Sequence, residues 1–126
     1  MIRPMIRTAA LAAVVLAATS AAPAARAATP FDGAWSVLIV TQQGECDRAY
    51  RYPIRIQNGV VTYGGEASFN ISGRVAGNGA VKVSVSRGSA RADGSGRMSG
   101  SSGSGSWKGT SSNASCSGTW TAERRG

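Results

Sequence analysis

The groups able to do chemistry in this chain are few, and what is missing narrows them further. Its 126 residues include no His. Ser-His-Asp and Cys-His catalysis are thereby excluded, as are His-ligated zinc and haem. The six carboxylates (Asp32, Glu45, Asp47, Glu66, Asp93, Glu123) are scattered, and only Glu45 and Asp47 stand close in sequence. A glycosidase needs two carboxylates facing each other across a bond, and no spacing marks such a pair. Serines are abundant but have no base beside them. No catalytic residue is assigned, no cofactor or metal site is expected, and the chain is read as a non-enzyme.

Three groupings remain. Cys46 and Cys116 are the only cysteines and are expected to form one disulfide spanning 70 residues. The segment 45–53 holds Glu45, Asp47, Arg48, Arg51 and the phenols of Tyr50 and Tyr52 beside that disulfide. Asp47 and Arg48 with Tyr50 and Tyr52 can read a polar ligand at the mouth of a small fold, or they order a loop that starts a strand. The third grouping is Gly-x-Trp, which occurs at Gly33-Ala34-Trp35, Gly105-Ser106-Trp107 and Gly118-Thr119-Trp120 and uses every Trp in the chain. Two residues apart on a strand share a face, so an indole can pack over the space a glycine leaves. Trp35, Trp107 and Trp120 are expected first as core and second as pocket walls.

Strands must position these groups, because apolar residues alternate with polar ones along the chain. One strand is expected at about 33–41. Tyr50, Tyr52, Ile54 and Ile56 then alternate with polar residues up to Asn58-Gly59, a strong two-residue hairpin signal. That turn sets Ile56 opposite Val61 and Ile54 opposite Tyr63, so turn chemistry and apolar pattern agree on one register. Pro53 faces outward and favours a local edge or bulge. In the next hairpin, a three-residue loop over Gly77, Asn78 and Gly79 sets Val75 opposite Val81 and Ile71 opposite Val85. The stretch 94–106 is Gly or Ser at 11 of 13 positions. It is read as two short strands near 97–100 and 105–109 with loose turns, the other reading being a flexible linker. The last strand is expected at about 116–123.

Eight short strands with no crossover helix favour an all-β fold, an antiparallel up-and-down meander closed into a small barrel. A β-sandwich is the alternative. The register places Arg51, Arg55, Arg74 and Lys82 on outward faces, a basic surface that can meet an envelope component or simply keep the protein soluble. It has no interleaved aromatics, so no nucleic-acid partner is expected. Outward positions are polar, so the barrel is not expected to span a membrane.

Residues 1–27 read as a signal peptide. Arg3 and Arg7 precede an apolar run at 9–18, and Ala25-Arg26-Ala27 supplies small residues for cleavage. Residues 28–126 then form a single all-β domain, exported to the periplasm or the exterior, where a disulfide persists. Losing Arg3, Arg7 and Arg26 from the 14 basic residues leaves 11 against 6 carboxylates, so the net charge falls from +8 to +5.

The first Gly-x-Trp resembles the entrance motif of calycin-type barrels, lipocalins and avidins, and Gly118-Thr119-Trp120 is similar to the avidin Gly-Thr-Trp. That resemblance implies a barrel holding a small apolar ligand, here near Trp35, Tyr50, Tyr52 and Trp120. The whole mature pattern resembles a group of small exported alphaproteobacterial proteins. The resemblance lies in Phe31-Asp32-Gly33-Ala34-Trp35-Ser36-Val37, Cys46-Asp47-Arg48-Ala49-Tyr50-Arg51-Tyr52, Ser72-Gly73-Arg74-Val75 and Cys116-Ser117-Gly118-Thr119-Trp120. Some of that group carry a label of haem utilisation or adhesion. In architecture the chain also resembles bacterial metalloprotease inhibitors, eight-stranded exported barrels with one disulfide, although its pre-barrel segment 28–31 is short. The expectation is a monomeric, non-catalytic binding module. Its partner would be a small apolar ligand, an envelope component or, as an inhibitor, a secreted protein.

Overall fold

A computed structural model describes residues 28–66 and 69–126. The signal peptide expected at 1–27 lies outside the described residues. The chain forms β1 (Gly33–Gln43), β2 (Ala49–Gln57), β3 (Val60–Tyr63), β4 (Asn70–Val75), β5 (Ala80–Arg87), β6 (Ala90–Ser99), β7 (Ser102–Ser111) and β8 (Ala114–Arg124). Each strand pairs antiparallel with the next, and β8 returns to β1 to close the barrel. Closure removes the sandwich alternative. It also removes free sheet edges, which a single small sheet would otherwise have to protect.

Both hairpin registers follow the apolar pattern. Ile56 stands opposite Val61 and Ile54 opposite Tyr63. Asn58 and Gly59 both take positive φ, 52° and 79°, as a two-residue turn matched to strand twist requires. In the second hairpin Val75 faces Val81 and Ile71 faces Val85. Its loop is held by the Ala76 amide donating to the Ala80 carbonyl at 2.8 Å. Pro53 stays paired with Ser36 of β1 but lies one residue beyond the end of β3. Its carbonyl accepts from the Gly64 amide at 2.9 Å, just past the end of β3. In an antiparallel ladder the nitrogen and carbonyl of one residue point the same way, so the missing N–H also faces the β3 side, just beyond that strand's last residue.

The Gly/Ser-rich stretch departs from the expected short strands. β6 and β7 are ten residues each and pair continuously from Arg91↔Thr110 to Ser99↔Ser102. The physical reason lies inside the barrel. The inward positions are Ala92, Gly94, Gly96 and Met98 on β6 and Gly103, Gly105, Trp107 and Gly109 on β7, and they hold space for two indoles. A Cβ on Gly96 or Gly105 would run into the Trp120 ring. The Gly-x-Trp steps of β7 and β8 interlock: Gly105 stands opposite Trp120, and Trp107 opposite Gly118. The Trp120 indole occupies the space left by Gly105 and by Gly96 beyond it, whereas the space at Gly118 is taken by the Val40 backbone of β1.

One end of the barrel is sealed. Phe31, Trp35, Ile56, Val61, Val75, Val81, Met98 and Ala122 are buried together there. Trp35 is 1% exposed, and its indole N–H donates to the Phe31 carbonyl at 2.8 Å. The Arg124 guanidinium lies 4.7 Å from the Trp35 ring centre and donates to the carbonyls of Asp32 and Pro30. Asp32 ties this plug to the β2–β3 turn, its carboxylate accepting from the Asn58 and Gly59 amides at 2.7 and 3.1 Å and from the Thr29 hydroxyl at 2.8 Å.

Candidate functional site

The opposite end is shaped by the connection between β1 and β2. Cys46 in that connection is bonded to Cys116 on β8, with Cα atoms 6.1 Å apart. The Thr41 side chain is buried and donates to the Asp47 carbonyl at 2.6 Å. Its amide donates to the Arg48 carbonyl at 2.9 Å. Gly44 holds φ at 100° against Ser115 and the Cys116 sulfur, where a side chain would not fit. The connection is thus folded down on the β1–β8 side of the mouth. Asp47 and Arg48 stand exposed on it.

Across the mouth the rim is aromatic. Tyr52 lies with its ring centre 5.7 Å from Tyr50, 6.4 Å from Tyr63 and 5.3 Å from Phe69. Tyr63 and Phe69 are 5.0 Å apart. Such edge and tilted contacts suit the ring quadrupoles. The Arg87 guanidinium sits 5.1 Å over Phe69. Tyr50, 44% exposed, donates its hydroxyl to the Asp47 carboxylate. Below the rings the barrel lining is aliphatic, with Val37, Ile39, Ile54, Ile71 and Val83 only partly buried.

Both phenols hold their protons more tightly than free tyrosine. The bond to Asp47 pushes Tyr50 above 10.0, and burial adds to it. Burial pushes Tyr52 up, and Tyr63 beside it adds to that. At neutral pH the rim is therefore a set of neutral rings with hydroxyl donors and one guanidinium. It can stack a flat apolar group and donate to an acceptor on it.

The sequence placed Trp35, Tyr50, Tyr52 and Trp120 around one pocket, but the fold separates them. Trp35 belongs to the sealed end. Trp120 crosses the middle of the barrel and donates to the Ser95 carbonyl at 3.1 Å. Trp107 is half-buried nearer the mouth and donates to the Val40 carbonyl at 3.0 Å, close to the bulge at Thr41/Gln43. All three indole N–H groups are thus committed to backbone carbonyls. Asp47, Tyr50 and Tyr52 do come together. Tyr63, Phe69 and Arg87 complete the rim; the apolar pattern marks Tyr63 only as the partner of Ile54 and does not single out Phe69 or Arg87 as site residues. The hairpin register contained the signal for Tyr63, since setting it opposite Ile54 places it diagonally from Tyr52.

Arg51, Arg55, Arg74 and Lys82 are all exposed on the outer wall. Arg74 stands directly opposite Lys82. Arg51 is set apart from them and donates to the Ser36 hydroxyl at 3.2 Å. Among the described residues no three of Cys, Asp and Glu converge as a metal site, and no helix is long and apolar enough to cross a membrane. The segment 28–32, which an inhibitor of the protease-binding kind would extend into its target, is engaged in the plug through Phe31 and Asp32. No protein family, curated protein or solved structure matches the chain.

Proposed function

We propose that the protein is an exported, non-catalytic binding module of the periplasm or exterior that takes a small, flat, apolar ligand at the open end of its barrel. The observation that carries this reading is the rim of Tyr50, Tyr52, Tyr63 and Phe69 above a half-buried aliphatic lining. Partly exposed rings over apolar walls, with a few polar groups to fix orientation, are the usual make-up of a small-molecule site. The disulfide fits an oxidising compartment. Carboxylates spread over the molecule, with no histidine to serve as a base, support binding without catalysis.

The test is fluorescence titration of the protein with a panel of flat apolar compounds, haem included. Trp107 reports on the mouth from within the barrel. A saturable change that is lost in Tyr52→Ala supports the reading. An unchanged signal across the panel contradicts it.

A further inference from the structure

The outer wall carries a concave track that none of the features above uses. There a cavity of about 810 Å³ crosses β5 to β8 and reaches the end of β1. A second, of about 480 Å³, lies where β3 and β4 part. Those two strands are bridged only at Val60↔Arg74, whereas β4 and β5 pair at six positions. Ser72 and Lys82 line both cavities, so the two adjoin there. Strands stand about 4.8 Å apart, so a track from β3 round to β1 is on the order of 25–30 Å long.

Its β5–β8 part is mostly polar, with Val83 the one aliphatic side chain, and its β3–β4 part adds Val60, Val61 and Ile71 beside Arg74 and Lys82. Arg74, Lys82 and Lys108 supply the positive charge. The one carboxylate in the lining is Asp93, which accepts from the Ser84 hydroxyl at 2.7 Å. Between the cations the walls are hydroxyls and amides: Ser95, Ser106, Ser117, Gln42 and Gln43. Each can donate and accept. The only ring in the lining is Trp107, which turns its indole N–H inward to Val40. A nucleic-acid strand would want bases stacked on exposed rings, and an apolar ligand would leave the cations and hydroxyls that make up most of the lining unpaired. A long, cationic, hydroxyl-lined track fits a chain that is itself hydroxyl-rich and negatively charged.

We propose that this outer track binds an acidic polysaccharide, with Arg74, Lys82 and Lys108 meeting its anionic groups and the serine and glutamine side chains its hydroxyls. Its charged and hydroxyl groups lie apart from the rim of Tyr50, Tyr52, Tyr63 and Phe69, so the proposal stands whether or not the rim takes a ligand. The test is calorimetric titration with alginate oligomers, alongside neutral dextran and oligothymidylate. The proposal expects alginate to bind, to weaken as salt screens the charges, and to bind more tightly than either control. Charge reversal in the K82E/K108E double variant should weaken alginate by about tenfold or more. R51E, outside the track, should leave it unchanged. Both variants change exposed side chains, and far-UV circular dichroism checks that each still folds. Failure of alginate to bind would overturn the proposal. So would oligothymidylate binding as tightly as alginate, which would mean charge attraction or a nucleic-acid site, or an undiminished affinity in K82E/K108E.

Discussion

Three donors from two segments meet on the Asp32 carboxylate, which ties the plug to the β2–β3 turn. Partial burial pushes that carboxyl up, but the Thr29 hydroxyl and the Asn58 and Gly59 amides outweigh it and hold the group below 3.8. A lowered folded value means that the contribution to stability is full above the unfolded value and is lost as pH falls through the folded one. Asp32→Asn should therefore be less stable than the native protein at pH 7 in urea unfolding. The gap should narrow below about pH 4 and close at still lower pH. A gap independent of pH would mean that the charge is not what the amides hold. Gly105 offers a second test at this scale. A Cβ there meets the Ser95 carbonyl oxygen and the Trp120 indole nitrogen. Gly105→Ala should cost about 1–3 kcal/mol as overpacking, read as a lower urea midpoint. A neutral outcome would mean that the indole is not seated on β7. The Gly-x-Trp spacing was legible as glycine making room for indole. Which glycine serves which indole was not, because that depends on the register of β7 against β8, and neither strand carries enough apolar residues to set its register alone.

At the scale of elements, the hairpins could be read wherever large apolar side chains alternate on both arms. Ile54, Ile56, Val61 and Tyr63 leave one register open, and so do Ile71, Val75, Val81 and Val85. β6 and β7 resisted the same reading because their inward side chains are mostly hydrogen atoms and methyl groups. Residues 94–106 look like a linker by composition, yet their alternation is small-in and polar-out. Such strands are held by the ladder and by what packs on them, here Trp120 and Met98. The amides of this stretch should then exchange slowly in hydrogen–deuterium exchange, comparably with β5 and β8, and the stretch should resist limited proteolysis. Rapid exchange across 94–106 would show that it behaves as the linker its composition suggests.

At the scale of the molecule, the barrel has two unlike ends. One is plugged by Phe31 and closed by Trp35. The other carries the aromatic rim and a loop that the disulfide pins to β8. The 70-residue span makes Cys46–Cys116 a long-range restraint on the unfolded chain, worth about 4 kcal/mol on the chain-entropy account. Replacing both cysteines by Ser should lower unfolding stability by that order while the remaining strands stay paired. A loss below about 1 kcal/mol would mean that the loop packs without its staple. The overall architecture was legible because eight alternating segments joined by short turns leave few ways to close. The site was legible only in part. Tyr50, Tyr52 and Asp47 announce themselves as a cluster in one segment, whereas Tyr63, Phe69 and Arg87 reach the rim from three other places in the chain. Trp35 drew attention through its motif but belongs to the far end.

The central claim is that ligand enters at the aromatic end and nowhere near the plug. It is tested most directly by two-dimensional NMR of the labelled protein titrated with a flat apolar ligand taken from the fluorescence panel. The account predicts saturable shifts at Tyr50, Tyr52, Tyr63, Phe69 and Arg87, with Trp35 and Phe31 unmoved. Shifts centred on Trp35 and Phe31, or none at the rim, would contradict it.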